Sequence, residues 1–255
     1  MSNGAPDPGP RFESGWRQRF AHYARLYQDD AGIAGWTATS LEARLRFFAR
    51  HWAEGGVSGL WVDLGCGAGT YARWLVQAGQ SVVGVDYSLP TLEKARDRSP
   101  DAIDWVVGDA SNLPLGAGSA DGILCLGVTQ ALGGSEPLLD ELARVTRRGG
   151  VVWVDGLNSW CLPHMLSRLK AGLGGAPSKV RYASPWRLRR QVRHAGFENA
   201  RLFWLPILPE RWGRFQPWLE HPATVALLHA LPPLGAMLSH SMVVIARRED
   251  AHASG

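Results

Sequence analysis

The sequence predicts an α/β protein built on a largely parallel sheet with helices on both faces. Three observations carry that reading. Short apolar runs alternate with helical patterns between residues 60 and 155. Several of these runs end on glycine or aspartate. The first, Leu60–Leu64, leads directly into Gly65-Cys66-Gly67-Ala68-Gly69-Thr70. Strand–helix alternation of this kind makes successive strands parallel, because each return crossing is made by a helix on one face of the sheet.

Taken in order, the elements follow from local chemistry. A helix is predicted over Trp16–Tyr27, where Phe20, Tyr23, Ala24 and Tyr27 recur at a spacing of three to four. Thr39-Ser40-Leu41-Glu42 reads as a capping box opening a second helix, with Leu41, Leu45, Phe48 and Trp52 as its stripe and Gly55-Gly56 as its stop. Leu60–Leu64 is the first strand, Thr70–Ala78 the helix after the glycine turn, and Ser81–Val85 the second strand, ending on Asp86. Ser88 and Pro90 open the next helix. Ile103–Val107 and Gly122–Leu126 are strands three and four. Ser135-Glu136-Pro137 opens a helix that Gly149-Gly150 ends, and Val151–Val154 is strand five. The later pattern is less regular. A Trp/Leu/Gly connection covers 157–178, a helix opens at Ser184-Pro185, and a strand runs over Arg201–Leu208. An insertion punctuated by Trp and Pro follows over 209–237, and then a last strand, Ser241–Arg247.

Composition bounds the function. Hydrophobic residues make up 45% of the 255, enough for one sizeable core. A formal charge of +4 is too small for a nucleic-acid footprint. Cys66, Cys125 and Cys161 are scattered, so neither a disulfide framework nor a metal is expected. Reduced cysteines and the lack of an apolar h-region in Met1–Gly15 point to a cytoplasmic protein. Residues 1–14 read as a disordered leader, 15–56 as a helical cap, and 57–248 as the ligand-binding domain. That domain carries insertions near 157–180 and 209–237, and 249–255 reads as a tail.

The glycine turn is a nucleotide-type cradle. Glycine lets the backbone take positive φ and approach a ligand, and the helix start offers unpaired N–H groups beside it. Two ligand classes compete. The dinucleotide fingerprint is G-x-G-x-x-G. Here the spacing is G-x-G-x-G, and Thr70 stands where the third glycine would be. Asp86 at the end of the second strand suits a ribose of either class, and Gly108-Asp109-Ala110 suits an adenine edge.

In this ordered series the chain resembles the class I S-adenosylmethionine-dependent methyltransferases, nearest to those acting on quinones and other small metabolites. The matching stretches are Val62–Thr70, Val83–Ser88, Gly108–Pro114, Asp121-Gly122-Ile123-Leu124 and Leu142–Gly150, with Ala195-Gly196-Phe197 before the last hairpin. The resemblance implies a Rossmann-like, seven-stranded mixed sheet whose antiparallel last strand lies between strands five and six. It implies S-adenosylmethionine as cofactor, with Asp63, Gly65, Cys66 and Gly67 at its methionine part. Asp86 would take the ribose, Tyr87, Asp109 and Ala110 the adenine, and Leu126 and Gly127 would line the site from strand four. Tyr27 would touch the cofactor from the N-terminal helix. Arg148 departs from the proline the family often carries there.

The expected reaction is methyl transfer to a small organic acceptor, at oxygen or carbon. The rival readings are a non-catalytic S-adenosylmethionine-binding scaffold, an NAD oxidoreductase and an RNA methyltransferase. The intact carboxylates disfavour the first, Thr70 the second, and the absence of a concentrated basic face the third. Candidate bases are His22, His164 and His221, each more simply read as an ordinary surface histidine. The tryptophans of the cap and insertions suit a flat or apolar acceptor. The acid-free segment from Lys179 to His194 reads as a solvated outer face, and the proline-broken segment Ala223–Leu238 as a pocket cover rather than a membrane contact. The expected partner is therefore a small-molecule acceptor, and the expected state a monomer or homodimer.

Overall fold

The structure is a computed structural model that describes residues 10–172 and 180–250. Eight strands form one sheet: β1 (Leu60–Leu64), β2 (Ser81–Asp86), β3 (Ile103–Val107), β4 (Ala120–Cys125), β5 (Thr146–Asn158), the two-residue β6 (Tyr182–Ala183), β7 (Phe197–Leu205) and β8 (Ser241–Arg248). Their order is β3-β2-β1-β4-β5-β8-β7, with β6 pairing β5 off this path. All pairs are parallel except those of β8, which runs antiparallel between β5 and β7. The last strand therefore lies inside the sheet, as the resemblance implies.

Side chains alternate between two cores. Val62, Leu64, Val152 and Val154 face α6 (Glu136–Val145) and α8 (Pro185–His194). Trp61, Leu124 and Trp153 face α3 (Ala38–Gly55) and α4 (Thr70–Gln77). Helix α5 (Leu89–Asp97) packs on β2 and β3. Both Trp61 and Trp153 are fully buried, and each indole nitrogen donates to a backbone carbonyl, of Val57 at 2.8 Å and Gly55 at 3.2 Å respectively. A buried indole needs such an acceptor.

Several boundaries differ from expectation. The first helix, α1, runs Pro10–Leu26, so Pro10–Ser14 are helical and not part of a disordered leader; residues 1–9 and 251–255 lie outside the described residues. Thr37, not Thr39, caps α3: it is extended and its Oγ1 accepts from Ser40 N–H at 3.2 Å, while Ala38 and Thr39 are already helical. Glu42 then pairs with Arg46 instead of closing a capping box. Gly149-Gly150 does not stop a helix. It lies within β5 where the register with β4 shifts, and Gly149 has φ +70°. Strand β7 begins four residues earlier than predicted, because a shift near Glu198, with Asn199 at φ 51°, lets pairing resume toward Phe197. The segment 157–178 carries α7 (Leu162–Gly172), though residues 173–179 are outside the described residues. The insertion 209–237 is helical: a 3-10 turn over Glu210–Phe215, then α9 (Gln216–Leu219), α10 (Pro222–Ala230) and α11 (Pro232–Leu238).

Candidate active site

The glycine turn joins β1 to α4 at the carboxyl edge of the sheet. Gly65, Gly67 and Gly69 all have positive φ, at 71°, 52° and 79°. Gly65 and Cys66 N–H both donate to Val85 O, at 2.7 and 3.1 Å, which ties the loop to β2. A Cβ on Gly65 would stand 2.4 Å from Val128 Cγ2, so the loop fits only without one. Asp63, buried at the end of β1, accepts from Ala72 N–H in the first turn of α4 at 3.0 Å. Burial pushes its carboxyl up to about 7, against that amide and with Asp86 adding to the rise.

Asp86 ends β2 and spans two backbone donors. Its Oδ2 accepts from Gly67 N–H at 3.1 Å and its Oδ1 from Ser88 N–H at 2.9 Å. Burial raises its pKa and these amides oppose the rise. The neighbouring Tyr87 hydroxyl donates to Trp16 O at 3.2 Å. Asp109, beyond β3, accepts from Ser111 N–H at 2.9 Å and pairs with Arg17 of α1, whose guanidinium also lies 5.4 Å from the Tyr87 ring centre. At the end of β4, Gly127 has φ +85° and donates to Asp155 Oδ1 at 2.7 Å. A Cβ there would meet Trp36 Cζ2 at 2.7 Å.

These residues surround one cleft. Gly65, Cys66, Gly67, Asp86, Tyr87, Asp109, Ala110, Leu126 and Gly127 all line it. Asp63 does not; it acts one layer behind, through α4. Tyr27 is placed elsewhere. It is 39% exposed and its ring packs on Tyr23 and against Gly32. The α1 residues that do line the cleft are Glu13, Trp16, Arg17 and Phe20. The three histidine candidates are also absent from the lining. His22 is exposed, His164 is buried and stacked on Tyr182 at 3.4 Å, and His221 caps α10 by accepting from Ala223 N–H.

Sequence reasoning missed the devices that hold the cap in place. In α2 (Asp30–Ile33), Asp30 accepts from Thr70 Oγ1 at 2.6 Å and pairs with Arg73 and Arg98. Its charge is thereby set beside the start of α4, where a negative group suits the helix dipole. Arg44 of α3 stacks on Trp36 at 4.6 Å and reaches Asp155 at 3.7 Å, both side chains almost fully buried. Asp155 in turn holds Gly127, so cap and strand ends are joined through one ion pair. No spacing rule connects residues 44 and 155 before the fold is known.

The site fits an adenosine-type group with an amino-acid tail. Three carboxyl-bearing or glycine positions sit at consecutive strand ends, the loop excludes a Cβ at Gly65, and the Tyr71 hydroxyl, beside the cleft, is buried without a hydrogen-bond partner. The residues 62–154 match the family model described as methyltransferase domain. The biotin biosynthesis bifunctional protein BioHC of Cellvibrio japonicus is 33% identical over 140 residues, covering 54% of this chain and 27% of that protein. The demethylmenaquinone methyltransferase of Paenarthrobacter aurescens is 39% identical over 92 residues, covering 35% of each. The chain thus spans about a third or less of the length of these relatives. The crystal structure of magnesium protoporphyrin IX methyltransferase from Synechocystis PCC 6803, with bound S-adenosylhomocysteine, superposes with a TM-score of 0.63. It covers 93% of this chain and all of that one at 18% identity, which shows a common fold. Residues 62–154 thus match a methyltransferase domain, and S-adenosylmethionine is the cofactor to which that match and the cleft lining point.

Proposed function

We propose that the protein transfers a methyl group from S-adenosylmethionine to a small organic acceptor, at oxygen or carbon. The observation that carries this reading is the convergence of Gly65, Gly67, Asp86 and Asp109 on one cleft at the carboxyl edge of β1, β2 and β3. When bound, the cofactor supplies an electrophilic methyl on a sulfonium. Gly65–Gly67 would hold its methionine part, Asp86 the ribose hydroxyls, and Tyr87, Asp109 and Ala110 the adenine.

The remaining work of the chain is positioning and exclusion of water. Trp16, Phe20 and Trp36 close the cleft with aromatic surface, and Gly127 leaves room at the end of β4. Orienting an acceptor against a reactive group supplies much of a displacement's rate enhancement, and a base is needed only if the acceptor must lose a proton. An aromatic or apolar acceptor, quinone-like, polyketide or lipid, agrees with this lining and with the named substrate of the demethylmenaquinone relative.

Calorimetric titration with S-adenosylhomocysteine, with NAD as control, tests the reading. Micromolar binding, about −8 kcal/mol, is expected for the former and none for NAD. Asp86→Ala should remove about 1.5–3 kcal/mol of it. Transfer of labelled methyl to a panel of phenols, quinols and carboxylic acids would then find the acceptor. Tight cofactor binding with no methyl transfer to any acceptor class would favour the scaffold reading instead.

A further inference from the structure

The exposed large hydrophobic side chains are not scattered. Among the described residues, all but Leu26, Tyr27, Leu89 and Val107 lie between Trp160 and Leu238. That stretch comprises the segments that leave the carboxyl ends of β5 and β7 and return to the start of β8. They share one end of the molecule, the edge onto which the cofactor cleft also opens.

Within that end the apolar surface is ordered. On α7, Leu162, Met165, Leu166 and Leu169 recur at helical spacing and all are 42–66% exposed, while His164 on the opposite side is buried. The stripe is thus an apolar helix face that the described residues leave uncovered. Trp160, just before α7, meets Trp186 at the start of α8 at 5.3 Å, and Trp186 meets Trp204, against which Gly235 of α11 packs. Trp204 is itself buried, so these contacts tie α8 and α11 together beneath the surface. Helix α11 adjoins α10, which adjoins α9, where Trp218 is 74% exposed.

Charge selects the occupant. No Asp or Glu occurs from Gly156 through Phe197, a stretch that carries Lys and Arg throughout. Arg168 and Arg187 on this surface are exposed and make no ion pair with the described residues. Arg211 and Arg214 are likewise exposed and lie over the neighbouring Trp212 and Phe215 rings at 4.9 and 4.6 Å. Unpaired guanidinium groups beside exposed tryptophan and leucine match a surface that is anionic outside and apolar beneath. No described helix is long and apolar enough to cross a membrane. We propose that this end of the molecule docks on anionic lipid, with the α7 stripe and Trp218 entering the headgroup–acyl boundary. The inference stands independently of the methyl-transfer reading, but it would place the cleft edge at the bilayer, where apolar acceptors partition.

The test is flotation of the full chain with phosphatidylcholine vesicles, with and without phosphatidylglycerol. Three proteins are compared: the parent, Leu166→Glu/Leu169→Glu, and Arg187→Glu/Arg211→Glu. The parent should float with the anionic vesicles at low salt and much less with the neutral ones. The leucine pair should lose about a hundredfold or more in partition, since each buried leucine contributes about tenfold or more. The arginine pair should weaken binding to anionic vesicles and flatten its salt dependence. Retained S-adenosylhomocysteine affinity in both variants would show that they fold. The proposal is overturned if the parent does not float with anionic vesicles, or if both variants float like the parent. It is equally overturned if sedimentation shows that the α7 face is buried in a dimer broken by Leu166→Glu/Leu169→Glu, or if the parent shifts only with an acidic protein.

Discussion

Arg17 and Asp109, 92 residues apart in sequence, form an ion pair across the mouth of the cofactor cleft. It joins α1 to the residue after β3 that would read the adenine. Both side chains are substantially exposed, at 51% and 40%, so the pair adds little stability. Its role is to keep α1 over Tyr87. Arg17→Ala should leave the unfolding free energy within about 1 kcal/mol of the parent. It should raise the dissociation rate of S-adenosylhomocysteine several-fold, read by stopped-flow tryptophan fluorescence. An unchanged dissociation rate would remove α1 as a closing element.

The Arg44–Asp155 pair should behave in the opposite way, because it is buried. Removing one partner strands the other charge. Asp155→Ala is expected to cost about 3–5 kcal/mol in denaturant unfolding. Arg44→Met combined with Asp155→Leu should cost clearly less than the sum of the two single changes. Additive losses would mean that the two side chains act separately.

Gly65 has no room for a methyl group. Positive φ and a Cβ 2.4 Å from Val128 both oppose it. Gly65→Ala should cost about 1–3 kcal/mol of stability and abolish detectable cofactor binding in calorimetry. Gly65→Ala combined with Val128→Ala should recover part of the stability, since it removes the clash and leaves the φ strain. No recovery would assign the whole cost to the backbone.

Two desolvated groups, Asp63 and His240, make opposite contributions to the pH dependence of stability. Asp63, ordinarily at 3.8, is pushed up to about 7 mainly by burial, so the folded protein keeps a proton that the unfolded chain releases. That contribution is full below about pH 4 and is lost as the pH rises to about 7. His240, ordinarily at 6.5, is lowered to about 4 by burial and then by Arg44. Its contribution is full above about pH 6.5 and is lost as the pH falls toward 4. Asp63→Asn removes the first slope alone. The difference in Tm, variant minus parent, should therefore rise between pH 4 and 7. A flat difference would show that Asp63 does not titrate in this range.

Much of the cofactor side was legible before the fold was seen, because its chemistry is local. Gly65, Gly67, Asp86 and Asp109 each follow a short apolar strand, and the parallel sheet lines those ends up along one edge. The cap was legible only as helices. Trp16, Phe20 and Tyr23 recur along α1, with Tyr27 just beyond its end, and the sequence does not say where along that stripe the cleft begins. Trp16 and Phe20 line the cleft, and Tyr27 packs outside it on Tyr23 and Gly32. Thr39 reads as a cap because Glu42 completes a local pattern, whereas Glu42 pairs with Arg46 one turn further along the same helix. Gly149-Gly150 resembled a helix stop because a bulge in a central strand and a turn both call for positive φ. Arg44 and Asp155 carried no signal at all, since their pairing exists only through the fold.

Strand β8 also constrains how the molecule is made. It pairs with β5 along Val151–Leu157 and with β7 along Phe197–Leu205, yet it is made after both. Until Ser241–Arg248 leaves the ribosome, β5 and β7 present unsatisfied edges. Such edges bind other chains readily, and pairings this distant in sequence form slowly. The nascent chain should therefore depend on holding chaperones for its final stage, and truncation before Ser241 should yield aggregates rather than a smaller domain.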